Sequence, residues 1–468
     1  MNTCIKVVFI LLFCTSPLFG KNKIDGVWHA SFTVMGQAML LDLTVKSGGK
    51  EVAISNPEME VAPQIPGGNV VFKKNKLSFN VAFIGLEFKG TFFPKGDSIV
   101  GVMNQSGITW DVKFFRTIQK KNKVNRPQTP KEPFPYETQE VSFQNPKDNV
   151  QIFGTFTYPI NKNSNYPIVF LASGSGPQDR NCTILGHQSF LLIADQFARA
   201  GIATFRFDDR GAGESKANFS LAALSDFVSD LTTSINYFAQ DEQLKGHPFG
   251  LLGHSEGGMH IMEAYKQTKE QIDFLVFMAA CGVSGKDVLV QQQYEMPLAE
   301  GLNEEIALWN KTLFQGLSER VLAESDLVKC AFNIEAFLKE MYAKAPKGAI
   351  SEAMNEETFV ANNAAFLNNQ WGRQFLAFNP TEYLKTIEVP LIALFGSKDI
   401  QVNPFINSEV FRSALSSSQL KRAQITVLPQ LNHLFQQCNT CNFKEYGDLE
   451  ETMSPLVFEQ LIPFILKQ

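Results

Sequence analysis

The chain has 468 residues, 44% of them hydrophobic and 19% charged, too long for one compact core and too apolar to stay disordered, so two or more packed domains are expected. With 42 basic against 47 acidic residues the net charge is -5, and no Lys/Arg cluster supplies the field that a phosphate backbone requires, which argues against nucleic acid as a partner. Aromatic residues reach 12%, mostly 41 Phe, which points to large buried surfaces.

Residues 1–20 read as a secretory signal: Lys6, an apolar run at 5–13, then Thr15-Ser16-Pro17 and a break at Gly20, after which cleavage is expected. About ten apolar residues fall short of the roughly twenty that a membrane span needs, and no other stretch is long enough, so no stable span is expected. Lipid attachment at Cys14 is the alternative, disfavoured by the bulk of Phe13. The protein is therefore expected to be exported, periplasmic or extracellular. Without Cys4 and Cys14, the five cysteines Cys182, Cys281, Cys330, Cys438 and Cys441 include at least one free thiol. Cys438 and Cys441 are expected to be a structural clamp or two inert thiols rather than a redox pair, and they lack the companions of a zinc site.

Residues 21–118 read as a β-rich accessory domain. Runs at 39–45, 70–72, 77–83, 86–93, 98–103 and 109–115 alternate apolar and polar positions between turns, which predicts a small antiparallel barrel or sandwich. No cluster of Ser, His and acid is evident there, so a packing or substrate-binding role is expected. Residues 119–136 carry Lys120, Lys121, Lys123 and Arg126, then Pro127, Pro130, Pro133 and Pro135, the composition of a semi-extended, solvated linker.

From 137 to 468 the pattern changes. Runs at 141–143 and 150–158 read as an antiparallel pair, and apolar strands at 168–172, 202–207, 249–252 and 274–280 alternate with helix-length segments at 188–200, 221–238 and 257–266. Strands apolar on both faces and separated by helices predict a mostly parallel sheet covered on two sides. From about 282 to 387 only helix-like segments occur, before strands resume at 389–395 and 425–428. An all-helical insertion there is expected to cap the carboxyl edge, where open sheets bind ligands.

The sharpest chemical signal is Gly253-His254-Ser255-Glu256-Gly257-Gly258, between a predicted strand and a predicted helix. A tight turn of this kind needs small residues on both sides and presents Ser255 as a nucleophile. A serine hydroxyl needs a base. Of the six histidines, His29 lies in the accessory domain, His187, His247, His254 and His260 are badly placed, and His433 alone follows the last strand. Asp399, in Gly396-Ser397-Lys398-Asp399 after another strand, is the expected partner of His433, with Glu409 in reserve. The backbone N–H groups of Glu256 and Ser175 are the expected oxyanion donors, with Gly176 close behind.

Together, residues 173–180, Asp208-Asp209-Arg210-Gly211-Ala212-Gly213-Glu214-Ser215, 253–258, 396–399 and His433 resemble secreted bacterial α/β-hydrolases of the serine-aminopeptidase-like branch, several of which are carboxylesterases. The resemblance covers about 141–468. It implies an eight-stranded sheet, a helical cap after the sixth strand, no cofactor, and a structural role for the loop with Asp209 and Arg210; no metal site is expected either. The expected function is an exported serine hydrolase acting on a small-molecule ester through Ser255, His433 and Asp399. A serine aminopeptidase or other amide hydrolase is the alternative, and a catalytically dead binding protein is a third. Phe314, Phe332 and Phe337 in the cap are candidates for an apolar acyl pocket.

Overall fold

The structure is a computed structural model that describes residues 24–34, 37–55, 65–81, 86–95, 97–105, 108–116, 124–160, 165–350 and 354–468. The expected leader at 1–20 with Cys14, and Lys120, Lys121 and Lys123, lie outside the described residues. The chain divides into two units, 1–34 with 38–119, and 35–37 with 120–468.

The first unit is one nine-stranded sheet: β1 (Gly26–Val34), β2 (Gln37–Lys46), β3 (Glu51–Ser55), β4 (Ile65–Pro66), β5 (Gly68–Lys73), β6 (Lys76–Val81), β7 (Leu86–Phe93), β8 (Ser98–Gln105) and β9 (Ile108–Phe115). The strand order is β4-β3-β2-β1-β9-β8-β7-β6-β5. β4 pairs with β3 at one end of this sheet and β5 with β6 at the other, yet only Gly67 separates β4 from β5 in the chain. Gly67 N–H also donates to Val52 O at 2.9 Å, so the two ends meet and the sheet closes as a barrel. The period-two pattern turns Trp28, Phe79, Phe88, Ile99, Met103 and Phe114 inward, where they fill the interior. His29 Nδ1 lies 2.6 Å from Asp42 Oδ1, a His–acid pair that pattern reading missed because adjacent strands, not adjacent residues, create it.

In the second unit, residues 124–135 are not the solvated tether expected from composition. Arg126 donates to the carbonyls of Leu449, Gly447 (2.7 Å) and Leu185 (3.2 Å). Gln128 Nε2 donates to Met453 O at 2.8 Å, and its Oε1 accepts from Thr452 N–H at 2.6 Å. Two long polar side chains dock the segment, with every partner but Leu185 more than 300 residues away.

The chain continues through β10 (Tyr136–Gln144), β11 (Gln151–Pro159), β12 (Ile168–Ala172), a small ribbon of β13 (Thr183–Ile184) and β14 (His187–Gln188), α1 (Ser189–Arg199), β15 (Ala203–Phe207), α2 (Leu224–Ala239), β16 (Phe249–His254), α3 (Gly257–Thr268) and β17 (Phe274–Met278). The insertion holds α4 (Gly285–Ala299), α5 (Glu304–Ala323), α6 (Leu327–Ala343), α7 (Glu356–Leu367), α8 (Gln370–Ala377) and α9 (Pro380–Leu384). β18 (Leu391–Gly396), α10 (Pro404–Ala414), α11 (Ser417–Leu420), β19 (Ala423–Leu428), α12 (Phe443–Tyr446) and α13 (Pro455–Ile465) complete the unit. The main sheet runs β10-β11-β15-β12-β16-β17-β18-β19, antiparallel at its first pairs and parallel from β15 onward. β12, β16, β17 and β18 are buried along their whole length, as strands with helices on both faces must be.

Each insertion helix starts on a capping side chain: Ser284, Asn303, Asp326, Asn355, Asn369 and Asn379 all accept a backbone N–H of the first turn. Their apolar faces, with Trp309, Leu313, Leu317, Ile334 and Leu338, join the same core as Leu275 and Leu391 of the sheet. Of the three cap phenylalanines, Phe314 meets Phe366 edge-on at 6.0 Å, Phe337 lies under the Arg320 guanidinium at 4.0 Å, and Phe332 is 75% exposed, so Phe332 lines no acyl pocket. Among the described residues, no helix is long and apolar enough to cross a membrane.

His187 ties the start of α1 to the C-terminal loops. Its ring is fully buried, with Nδ1 3.0 Å from Thr452 Oγ1 and Nε2 2.9 Å from Tyr446 O. Burial, helped by the nearby Arg126 charge, pushes its pKa down from 6.5 to about 4. Between those values the unfolded chain takes up a proton that the folded chain refuses, so stability falls as pH drops, by about 2 kcal/mol per such site from pH 6.5 to 5. Buried Asp209, raised to about 7, works in the opposite direction. His187→Gln should therefore lose about 2 kcal/mol less than wild type between pH 7 and 5, read by urea unfolding at both values. Equal losses would exclude His187 as a source of acid sensitivity.

Candidate active site

β16 enters α3 through a turn with no room for side chains on its flanks. A Cβ on Gly253 would lie 2.3 Å from Gly257 O, and one on Gly257 would lie 2.3 Å from Ala172 O. Ser255 sits between them at φ 56°, in the left-handed region, a strain of roughly 1–3 kcal/mol. Its N–H donates to Met278 O at 2.9 Å, which ties the turn to the neighbouring strand. Gly253→Ala must push backbone apart, and a loss of about 3 kcal/mol or more is expected. An unchanged urea midpoint in that variant would show that the turn has slack.

β18 ends at Gly396, and the turn after it carries Asp399. Asp399 Oδ1 accepts the N–H groups of Gln401 (2.8 Å) and Val402 (2.9 Å), and Oδ2 faces His433 Nδ1 at 2.7 Å. Asp399 and His433 are each only 5% exposed. An ionised carboxylate there requires the proton on Nδ1 and leaves Nε2 as the acceptor.

The loop bearing His433 is laced from several sides. Lys398 N–H donates to Leu431 O at 2.9 Å, Asn432 Oδ1 accepts the N–H groups of Leu434 and Gln436 at 3.0 Å, and a Cys438–Cys441 disulfide closes its far end. His254 Nε2 donates to His433 O at 3.0 Å. Burial, with His433 close by, lowers the His254 pKa to about 4, so its ring is a neutral donor at neutral pH. The other cysteines among the described residues, Cys182, Cys281 and Cys330, are buried free thiols, and burial raises their pKa values.

Ser255 Oγ and His433 Nε2 are not hydrogen-bonded to each other, and neither has another partner among the described residues. Such bonds are often long in unliganded sites and close around a substrate. The loop after β12 passes directly beside the serine: a Cβ on Gly174 would stand 3.1 Å from Ser255 Cβ and 3.3 Å from His254 O. Ser175 Oγ donates to Glu256 Oε2 at 2.5 Å, so the two expected oxyanion residues touch. The amides of Glu256 and Ser175 have no acceptor among the described residues. Behind this loop, Asp209 Oδ2 accepts from Ser173 Oγ (2.8 Å) and Gln178 N–H (3.0 Å), clamping both ends, while Arg210 pairs with Asp230 at 2.8 Å.

The structure thus places Ser255, Asp399, His433, Glu256 and Ser175 at one sheet edge. Glu409 is exposed on α10, and His247 Nδ1 pairs with Tyr166 O at 2.8 Å, away from the site. Sequence reasoning missed His254 as a support for His433, the Glu256 side chain, and Trp371 of α8, whose Nε1 donates to Glu256 Oε1 at 2.7 Å. The turn position of Glu256 was a usable signal; nothing local marked Trp371. Among the described residues, no three His, Cys, Asp or Glu side chains converge as a metal-holding group.

Residues 187–337 match the family model described as serine aminopeptidase, S33. An uncharacterized 31.7 kDa protein in the traX-finO intergenic region of Escherichia coli is 23% identical over 301 residues, 62% of this chain and 88% of that protein. Among solved structures, the Pyrococcus furiosus esterase Pf2001 is 15% identical, with a TM-score of 0.40 over 74% of this chain and 97% of that chain. Est1E from Butyrivibrio proteoclasticus with ferulic acid bound is 13% identical, with a TM-score of 0.39 over 70% and 98%. By its sheet order and the strand-turn-helix at Ser255, the chain has an α/β-hydrolase fold with an all-β N-terminal domain, and over 187–337 it is similar to the serine aminopeptidase S33 family.

Proposed function

We propose that the protein is an exported serine hydrolase that cleaves carboxylic esters through an acyl-enzyme. The observation that carries this reading is the 2.7 Å bond between His433 and Asp399 beside the strained Ser255 turn. Ser255 Oγ attacks the ester carbonyl carbon while His433 Nε2 takes its proton, and Asp399 stabilises the imidazolium. The N–H groups of Glu256 and Ser175 hold the oxyanion, each worth about 3 kcal/mol. Collapse expels the alcohol with the proton from His433. Water then repeats the sequence, releasing the acid and restoring Ser255.

Esters are favoured because an alkoxide leaves with less protonation than an amine, so a triad of this kind acts on them most readily. The aromatic series Trp371, Phe366 and Phe314, beginning beside Glu256, suits an apolar acyl group. The similarity of 187–337 to serine aminopeptidases supports a second reading, hydrolysis of amino-acid amides. The Cys438–Cys441 disulfide fits an oxidising compartment, in line with the expected leader.

The test is labelling of the purified protein with a fluorophosphonate probe, followed by p-nitrophenyl esters of increasing acyl length and by amino-acid p-nitroanilides. Absence of labelling would sink the serine-hydrolase reading. Labelling with turnover of anilides alone would replace the esterase by the amide hydrolase.

A further inference from the structure

Glu256 follows the nucleophile, and its side chain is a carboxylate that is 2% exposed. Its two oxygens are held from different parts of the fold: Ser175 Oγ, on the loop after β12, donates to Oε2 at 2.5 Å, and Trp371 Nε1, on α8 of the cap, donates to Oε1 at 2.7 Å. His260 Nε2, on α3 and 5% exposed, stands 3.6 Å from the same Oε1 and has no hydrogen-bond partner. The His260 ring stacks on Phe227, with centroids 5.4 Å apart.

We propose that Glu256 is a positioning residue through which the cap helix α8 sets the oxyanion loop, so that seating Trp371 and placing the N–H of Ser175 become one event. The inference rests on Ser255 being the nucleophile. A buried carboxylate is costly, and an apolar side chain would fill the space at lower cost. What only the carboxylate provides is two acceptor oxygens facing two donors. Burial would raise its pKa, but the nearby His260 ring and the Ser175 and Trp371 donors outweigh burial and hold it below the usual carboxylate range. When Trp371 withdraws, His260 is the donor next to the vacated Oε1. Turning the carboxylate toward His260 draws Oε2 away from Ser175 and lets the loop at 173–178 move off the oxyanion position.

Four variants test this: Glu256→Gln, in which one donor must face an NH2 group; Trp371→Phe, which keeps a ring but loses the N–H; Ser175→Ala; and the Glu256→Gln/Trp371→Phe pair. With p-nitrophenyl butyrate, Glu256→Gln should lower kcat by about tenfold or more with KM within about threefold, because a misplaced oxyanion donor acts on the transition state. Trp371→Phe should lower kcat less, by about threefold to tenfold, and should add nothing in the Glu256→Gln background, since coupled residues are not additive. Independent, multiplicative effects in the double variant, or changes confined to KM, would overturn the coupling. If Glu256→Gln does not fold, a Trp371→Phe and Ser175→Ala cycle tests the same coupling with a half-buried and an exposed residue. Hydrogen–deuterium exchange of residues 173–178 needs no turnover: faster exchange in Trp371→Phe is expected, and unchanged exchange overturns the proposal. Failure of wild type to label with fluorophosphonate would instead overturn the reading of Ser255, a separate outcome.

Discussion

Ser255→Ala should abolish fluorophosphonate labelling and lower kcat on short esters by about 10⁴- to 10⁶-fold while leaving the fold intact. The size follows from what is removed. Without Oγ there is no covalent acyl-enzyme, and the only catalysis left is what the oxyanion donors and binding provide to attack by water. Alanine also fits the turn, because the φ of 56° at Ser255 is imposed by Gly253 and Gly257 and by the Met278 carbonyl. Circular dichroism and the urea midpoint should therefore match wild type. Residual activity above about a hundredth of wild type would mean that another group performs the attack.

Asp399→Asn should cost about 10⁴-fold in kcat, with little change in KM. The geometry dictates the mechanism of the loss. Oδ1 of Asp399 is held by two backbone N–H groups, so an asparagine there keeps its carbonyl oxygen on Gln401 and Val402 and turns its NH2 toward His433. Facing a donor, Nδ1 of His433 must become the acceptor and the proton moves to Nε2. That tautomer cannot take a proton from Ser255. Since the amide keeps the local hydrogen bonds, stability should change little, and a large drop in the unfolding midpoint with modest loss of kcat would assign Asp399 to structure instead.

How far the site was legible in the sequence depended on the distance over which each part is determined. Ser255 was legible because five consecutive residues fix its turn: the glycines at 253 and 257 leave no space for anything else. Asp399 and His433 were legible because each follows a strand of a parallel sheet, and all such strands end at one edge. Ser175 was placed by the same logic, but its tie to Glu256 was not, since a serine in a glycine-rich loop carries no mark of its partner. The Pro-rich stretch before β10 was misread as solvated because composition reports the lack of a helix or strand and cannot report docking through Arg126 and Gln128. Phe332 was misread for a related reason: helical position on α6, not residue type, turns it to solvent.

The sequence by itself determined two packed parts, the parallel sheet with its helical insertion, and the places of Ser255, Asp399 and His433 after strands of that sheet, because apolar periodicity and turn chemistry act over a few neighbouring residues. Tertiary structure alone decided the closure of the barrel at Gly67, the neutral His254 that holds the His433 carbonyl, and the bond from Trp371 to Glu256 across 115 residues of chain. The length of 468 residues demanded more than one core, and the net charge of -5 argued against nucleic acid without choosing a substrate. Only packing determines which buried polar groups meet, because each must find its partner wherever the fold brings one within hydrogen-bond reach.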